Sequence, residues 1–328
     1  AFTTWKAEAI WAPIPDITFR ASMNRAQRAP TVVEAFQASN SSYDRIDPQS
    51  FNDFCAPTIL RYETDGSGQQ RPVFGAPQAS REVCAATGLA DNLYGSETLL
   101  CPTDVGCTTR SGGFTVDPET AYTKTFGIVL KPRFLPGLTV SVDRYMIDLD
   151  GSIGYNNYDF FRDGCLSSGN DFFCSMFVRN ADGTLSSPTT GNAQTGYVRS
   201  GTTNYYQSKS YGWDFQAQYA LGLGTAGKLD FDFSGSLTTL LGAQDAPTLN
   251  KRNCVGYYGG AGCGQFIPKW THNLRGTYTT DDGVFSASLN WRYLGPLTNV
   301  SNSGDTNLGW TPEATRETYY KDKDVSYF

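Results

Sequence analysis

One stretch constrains this chain more than any other: residues 213–237, where apolar and polar side chains alternate on both sides of a glycine-rich turn. Trp213, Phe215, Ala217, Tyr219 and Leu221 form one set, with Asp214, Gln216, Gln218 and Ala220 between them. After Gly222-Leu223-Gly224-Thr225-Ala226-Gly227 the pattern restarts, Leu229, Phe231, Phe233, Gly235 and Leu237 alternating with Lys228, Asp230, Asp232, Ser234 and Ser236. Successive side chains of a strand point to opposite faces, so the stretch reads as a hairpin with one apolar and one polar face. Each arm runs for roughly ten residues, beyond the ~5–6 of an ordinary soluble strand and about what a tilted strand needs to cross a bilayer.

The same design recurs along the chain. Trp5, Ala7, Ala9 and Trp11 alternate with Lys6, Glu8 and Ile10, and after a turn at Pro13-Ile14-Pro15-Asp16 the residues Ile17, Phe19, Ala21 and Met23 alternate with Thr18, Arg20, Ser22 and Asn24. A third hairpin spans 121–150, where Phe126, Ile128 and Leu130 are answered by Leu138, Val140 and Val142. A fourth pairs Trp270, Leu274, Gly276 and Tyr278 with Phe285, Ala287, Leu289, Trp291 and Tyr293 across Asp281-Asp282-Gly283, and a last arm begins near Thr318. This makes about nine arms. Tight turns fall near residues 14, 134, 224 and 281, and long polar connections separate the hairpins, at about 26–118, at about 151–208 and around Cys254 and Cys263. Every tight turn therefore lies at one end of an antiparallel sheet and every long connection at the other. Outer-membrane barrels show this asymmetry, with short periplasmic turns, long extracellular loops and aromatic girdles. The expected fold is all-β, an antiparallel transmembrane barrel wall.

Composition is consistent with such a wall. Only 39% of residues are apolar, mean hydropathy is −0.38, and no run reaches the ~18 apolar residues of a membrane helix. A barrel wall turns only alternate residues to lipid, so a modest average is expected. A net charge of −6 argues against a nucleic-acid partner. The 8 cysteines all fall in the long connections. Proximity suggests the pairs Cys101/Cys107, Cys165/Cys174 and Cys254/Cys263, leaving Cys55/Cys84, and implies an oxidising compartment. Zinc is the competing reading, but no pair has CxxC spacing and the single histidine, His272, lies on a strand. No Ser/His/Asp arrangement or phosphate-cradling loop is present, so an enzyme is not expected and no cofactor is implied. Asp230 and Asp232 share a strand face, which adjacent lumenal positions explain more simply than a glycosidase pair.

At residues 18–36 the chain meets a family. Arg28-Ala29-Pro30 followed by Glu34-Ala35-Phe36 resembles a segment of the barrel of TonB-dependent outer-membrane receptors. Further resemblances follow in order: Asp117-Pro118-Glu119 leading into the next strand, Val142-Asp143-Arg144-Tyr145 on its return, and Tyr211-Gly212-Trp213-Asp214. The resemblance implies a 22-stranded barrel filled by a plug, importing a siderophore, vitamin or oligosaccharide through the bacterial outer membrane with energy from TonB. Residues 1–328 would then be a partial barrel domain of about nine strands, with the plug, the first barrel half and the last strands lying outside it. Outer-membrane lipid, the TonB complex acting through the plug, and a small ligand are the expected partners. The loop aromatics Tyr205, Tyr206, Tyr257 and Tyr258 are candidate ligand contacts, with girdle or loop packing as the alternative. Arg20, Asp143, Asp214, Asp230, Asp232, Arg275 and Arg292 are candidate plug-facing charges, with a hydrated lining as the alternative. Two other readings stay open. A soluble disulfide-containing β-sandwich that binds carbohydrate requires Trp213, Phe231 and Trp291 to form a sealed core; another outer-membrane barrel, such as an autotransporter, would lack the ordered motifs.

Overall fold

The computed structural model describes residues 3–43, 52–102, 106–187, 194–204, 207–244, 251–259, 263, 266–308, 321–322 and 324–327. The chain divides into two compact units: Ala1–Ala29, Pro118–Ser152 and Tyr205–Phe328 form the first, Pro30–Asp117 and Ile153–Asn204 the second.

The first unit is built on one antiparallel sheet of 9 strands. They are β1 (Trp5–Ile14), β2 (Ile17–Arg28), β3 (Glu119–Leu130), β4 (Leu138–Asp150), β5 (Gln207–Gly222), β6 (Lys228–Gln244), β7 (Trp270–Thr279), β8 (Ser286–Leu294) and β9 (Val325–Tyr327). Each strand pairs with its neighbours in chain order, which is the up-and-down arrangement that the alternating connections require. The arms β5 and β6 are 16 and 17 residues long, longer than the period-two reading of 213–237 alone delimits. The apolar alternation of β6 stops at Leu237 because Thr239 is bulged out of register: Gly212 faces Thr238 while Tyr211 faces Leu240. The ninth arm is broken. Among the described residues Lys321–Asp322 pairs with 297–298 in a separate small sheet and Val325–Tyr327 joins β8; the expected start of the arm at Thr318 lies outside the described residues.

The tight turns are tied to one another. The Lys131 N–H donates to the Asp16 carbonyl and Arg133 Nε to Asp16 Oδ1, joining the first turn to the second. The Ala220 N–H donates to the Gly137 carbonyl, and Tyr278 Oη donates to the Ala226 carbonyl. Gly227 closes the third turn at φ +100°, where an added Cβ would lie 2.1 Å from the Thr279 carbonyl oxygen. Only glycine fits that conformation and that approach.

Among the described residues of this unit no second layer covers the apolar face of the sheet. Trp11, Phe126, Phe285 and Leu289 are 64%, 55%, 56% and 64% exposed, Trp213 and Phe231 are each 38% exposed, and Phe215, Phe233 and Trp291 are half-buried only by their neighbours on the same face. A sandwich core would seal these side chains. Instead they stay open on the face of the sheet, an exposure of large apolar side chains that marks a contact surface.

The second unit has the sealed core that the wall lacks. Phe54, Phe161, Phe173, Leu99, Leu185 and Val198 are fully buried with five half-cystines, and Phe54 packs edge-on against Phe177. The two inserted segments are joined by a parallel pairing of 109–111 with 198–200, and Thr108 Oγ1 bridges to Ser187. The Arg179 guanidinium makes a bidentate pair with Asp53 and also donates to the Gly183 carbonyl and Thr87 Oγ1. That ion pair is almost wholly buried, with side-chain exposures of 3% and 0%. Sequence alone reads both segments as polar connections; the period-two test cannot see a small core assembled from two distant insertions.

All four cysteine pairs expected from spacing are bonded: Cys55–Cys84, Cys101–Cys107, Cys165–Cys174 and Cys254–Cys263. Each closes a loop within one connection, so none links the two inserted segments to each other.

Candidate functional site

Register places all seven predicted charges on the polar face of the wall. Arg20 stands opposite Gly127, Gly127 opposite Asp143, and Asp143 opposite Asp214; Asp232 stands opposite Arg275, and Arg292 opposite Asn273. Asp230 belongs to the same face and pairs with Lys228 at 3.0 Å. Only Arg20 and Asp143 among the seven are brought into a bidentate pair, Arg20 Nε donating to Asp143 Oδ1 at 2.7 Å. The pair reaches across β3 because position 127 is glycine. A Cβ there would sit 1.9 Å from Asp143 Oδ1 and 3.0 Å from Arg20 Nε. Tyr145 lies over Gly212 on the same face in the same way, 2.2 Å from where a Cβ would be. Glycine inside a strand marks such a close approach, and Gly127 and Gly212 were the available sequence signal for both.

Asp214, Gln216, Ser234, Asn273 and Arg292 line part of a concavity of about 340 Å³ on this face. Phe215, His272, Tyr293 and Leu294 also line it, so hydrogen-bonding and apolar groups share the lining.

The motif residues end β2. Arg28 Nε donates to Glu119 Oε1 at 2.6 Å across the β2–β3 pair. Ala29 and Pro30 follow, and Thr31 with Glu34 forms a reciprocal capping box on the short helix Val32–Ala35, while Phe36 is 80% exposed. Of the loop aromatics, Tyr257 packs against the Cys254–Cys263, Val300 and Leu308 cluster and Tyr258 stacks on Phe266 at 5.3 Å. Tyr205 and Tyr206 lie outside the described residues.

The polar/apolar reading leaves one cluster out. His272 sits on the apolar face, where Trp270 Nε1 donates to its Nδ1 at 2.9 Å, Trp291 meets it edge-on at 4.6 Å and Tyr293 stacks on it at 5.1 Å. Its odd neighbours are aromatic, so it is a member of that band. Among the described residues no group of three or more His, Cys, Asp or Glu side chains is placed to hold a metal ion.

Outside the wall, the Asp65 carboxylate is held down to about 2 by the Ser67 hydroxyl, by the Gln69 and Ser67 N–H groups and by Arg71. It organises the tip of the hairpin Thr58–Thr64/Gln70–Gly75. Asp182 is held low by the hydroxyl and N–H of Thr184.

Long antiparallel strands with one unsealed apolar face, one hydrated face and segregated connections define the wall of a membrane β-barrel. The chain belongs to the TonB-dependent receptor family: the family model described as "TonB dependent receptor-like, beta-barrel" matches residues 1–322. Among solved structures, a variant of the ferric enterobactin receptor PfeA of Pseudomonas aeruginosa in complex with enterobactin superposes with a TM-score of 0.50 at 11% identity, over 98% of this chain and 31% of that one. The siderophore receptor PirA of Acinetobacter baumannii gives 0.48 at 12% identity, over 98% and 33%. The FrpB iron transporter of Neisseria meningitidis gives 0.43 at 11% identity, over 98% and 30%. The chain thus spans about a third of the length of these receptors. No curated protein sequence matches it. The family consists of transport receptors in the outer membrane of Gram-negative bacteria.

Proposed function

We propose that this chain forms part of the wall of an outer-membrane active-transport receptor, which captures a scarce ligand on its extracellular side and imports it with energy transmitted by TonB. The observation that carries the reading is the family match over nearly the whole chain, on a sheet whose faces are partitioned as a lipid-embedded wall requires. A ferric siderophore is the favoured ligand class, because the receptors that resemble the fold are described as siderophore receptors or iron transporters. On this reading the wall is a partial barrel domain. The polar face carrying Arg20, Asp143, Asp214, Asp232, Arg275 and Arg292 is the surface against which a plug sits, and Tyr258 with the exposed Phe266 is the loop aromatic pair best placed for a ligand ring. The test is uptake of radiolabelled iron from a panel of ferric siderophores by iron-starved cells with and without the gene. Uptake that is lost both on deletion and in a TonB-deficient background supports the proposal. Uptake of every tested ligand that is indifferent to deletion, or that persists without TonB, overturns it.

A further inference from the structure

Charge is not confined to the polar face. On the apolar face of β1–β8 the charged side chains are Arg25, Lys124, Arg144 and Lys209 with Asp148 and Asp150, all on β2–β5; Arg144 is at the midpoint of β4 and the others are in the halves of their strands nearest the long connections. β6, β7 and β8 carry none on that face. One hydrogen-bonded row runs Arg25, Tyr122, Asp148, Lys209, Gly242. At its end the backbone of Arg252 crosses Gly242 so closely that a Cβ would lie 2.2 Å from the Arg252 carbonyl oxygen, and Lys251 and Arg252 join Lys209 around a small notch over Leu240. Six cations and two carboxylates are thus gathered on one patch of a chain whose net charge is −6.

A charge on a lipid-facing strand is costly and is kept where something compensates it. Side chains that merely snorkel would be extended toward water and spread around the whole circumference. These are neither. Arg144 is held by the Gly212 carbonyl and by Thr239 Oγ1 at 3.1 Å, and lies 5.9 and 5.3 Å from the rings of Tyr211 and Trp213. The carboxylate Asp148 takes Tyr211 Oη at 2.7 Å and Lys209 Nζ at 3.1 Å, which fixes Lys209 and holds the Tyr211 ring beside Arg144. Fixed Arg and Lys donors beside aromatic edges suit a phosphate monoester attached to an apolar body.

We propose that this patch binds the phosphorylated headgroup of a glycolipid in the outer leaflet, with acyl chains against Phe126, Trp213 and the apolar face below. The proposal rests on the barrel reading. The test uses the full-length protein carrying this chain, purified in detergent and mixed with bisphosphorylated lipid A, with its dephosphorylated form or with inorganic phosphate, bound lipid being counted by native mass spectrometry. Binding of the phosphorylated lipid should fall about tenfold or more in the Lys124→Gln/Arg144→Gln/Lys209→Gln variant, while Lys6→Gln on the opposite face leaves it unchanged. Lys124→Gln/Lys209→Gln, which preserves the Arg144 hydrogen bonds, covers a failure of the triple variant to fold, and should lower binding by a smaller factor. Equal retention of phosphorylated and dephosphorylated lipid, indifference to both variants, or equal competition by inorganic phosphate overturns it. A protein that does not insert into bilayers at all would instead overturn the barrel reading.

Discussion

Gly227 and Gly127 are both glycine, for different reasons. Gly227 holds φ +100° with a backbone carbonyl 2.1 Å from its missing Cβ, so Gly227→Ala must move a turn; thermal melts should show a loss of about 1–3 kcal/mol. At Gly127 the obstacle is the movable end of Asp143, so Gly127→Ala should cost less than about 1 kcal/mol while parting Arg20 from Asp143. If the two melts fall equally, the distinction between backbone and side-chain obstruction is wrong. In the exposed hairpin tip, the folded Asp65 carboxylate lies at about 2 against an ordinary 3.8, so its contribution is complete above 3.8 and disappears as pH falls through about 2. Amide exchange at Ser67 and Gln69 should stay protected at pH 4 and be released only near pH 2; release already at pH 4 would refute the assignment.

At the scale of elements, the alternation in 213–237 was enough to fix strands, faces and the end at which each turn lies, because a period of two reports directly which side chains share a face. The same period along the other strands also placed the seven charges on one polar face. It did not reveal that Arg20 and Asp143 meet, since that depends on what stands between them. Nor did it reveal the fold of 30–117 and 153–204, whose core draws single residues such as Phe54, Phe161 and Phe177 from irregular segments without periodicity. Phe231 and Asp232 are neighbours on opposite faces, so the same change should act differently at each. Phe231→Arg is expected to destabilise the folded barrel in bilayers by up to about 4 kcal/mol, and Asp232→Arg by well under half of that. Equal effects would mean that the faces are not lipid and lumen.

At the scale of the whole molecule, the two units are stabilised by different means. The wall depends on an apolar solvent for its outer face and on the interstrand ladder, whereas the second unit has its own sealed core, three disulfides and the buried Asp53–Arg179 pair. Reduction should therefore loosen the second unit, by about 2–4 kcal/mol for Cys55–Cys84, and leave amide-exchange protection of the strands of the wall intact. Arg179→Met should cost about 3–5 kcal/mol by stranding a buried carboxylate, and Asp53→Leu/Arg179→Met together should recover much of it. The central claim is that the unsealed face of the sheet meets lipid. The most direct measurement places a spin label at each position from 229 to 237 of the full-length protein in bilayers and records relaxation by oxygen and by a water-soluble nickel chelate. The account predicts oxygen accessibility at 229, 231, 233, 235 and 237 and nickel accessibility at the even positions between them. Odd positions closed to both reagents, as in a sealed core, would contradict it.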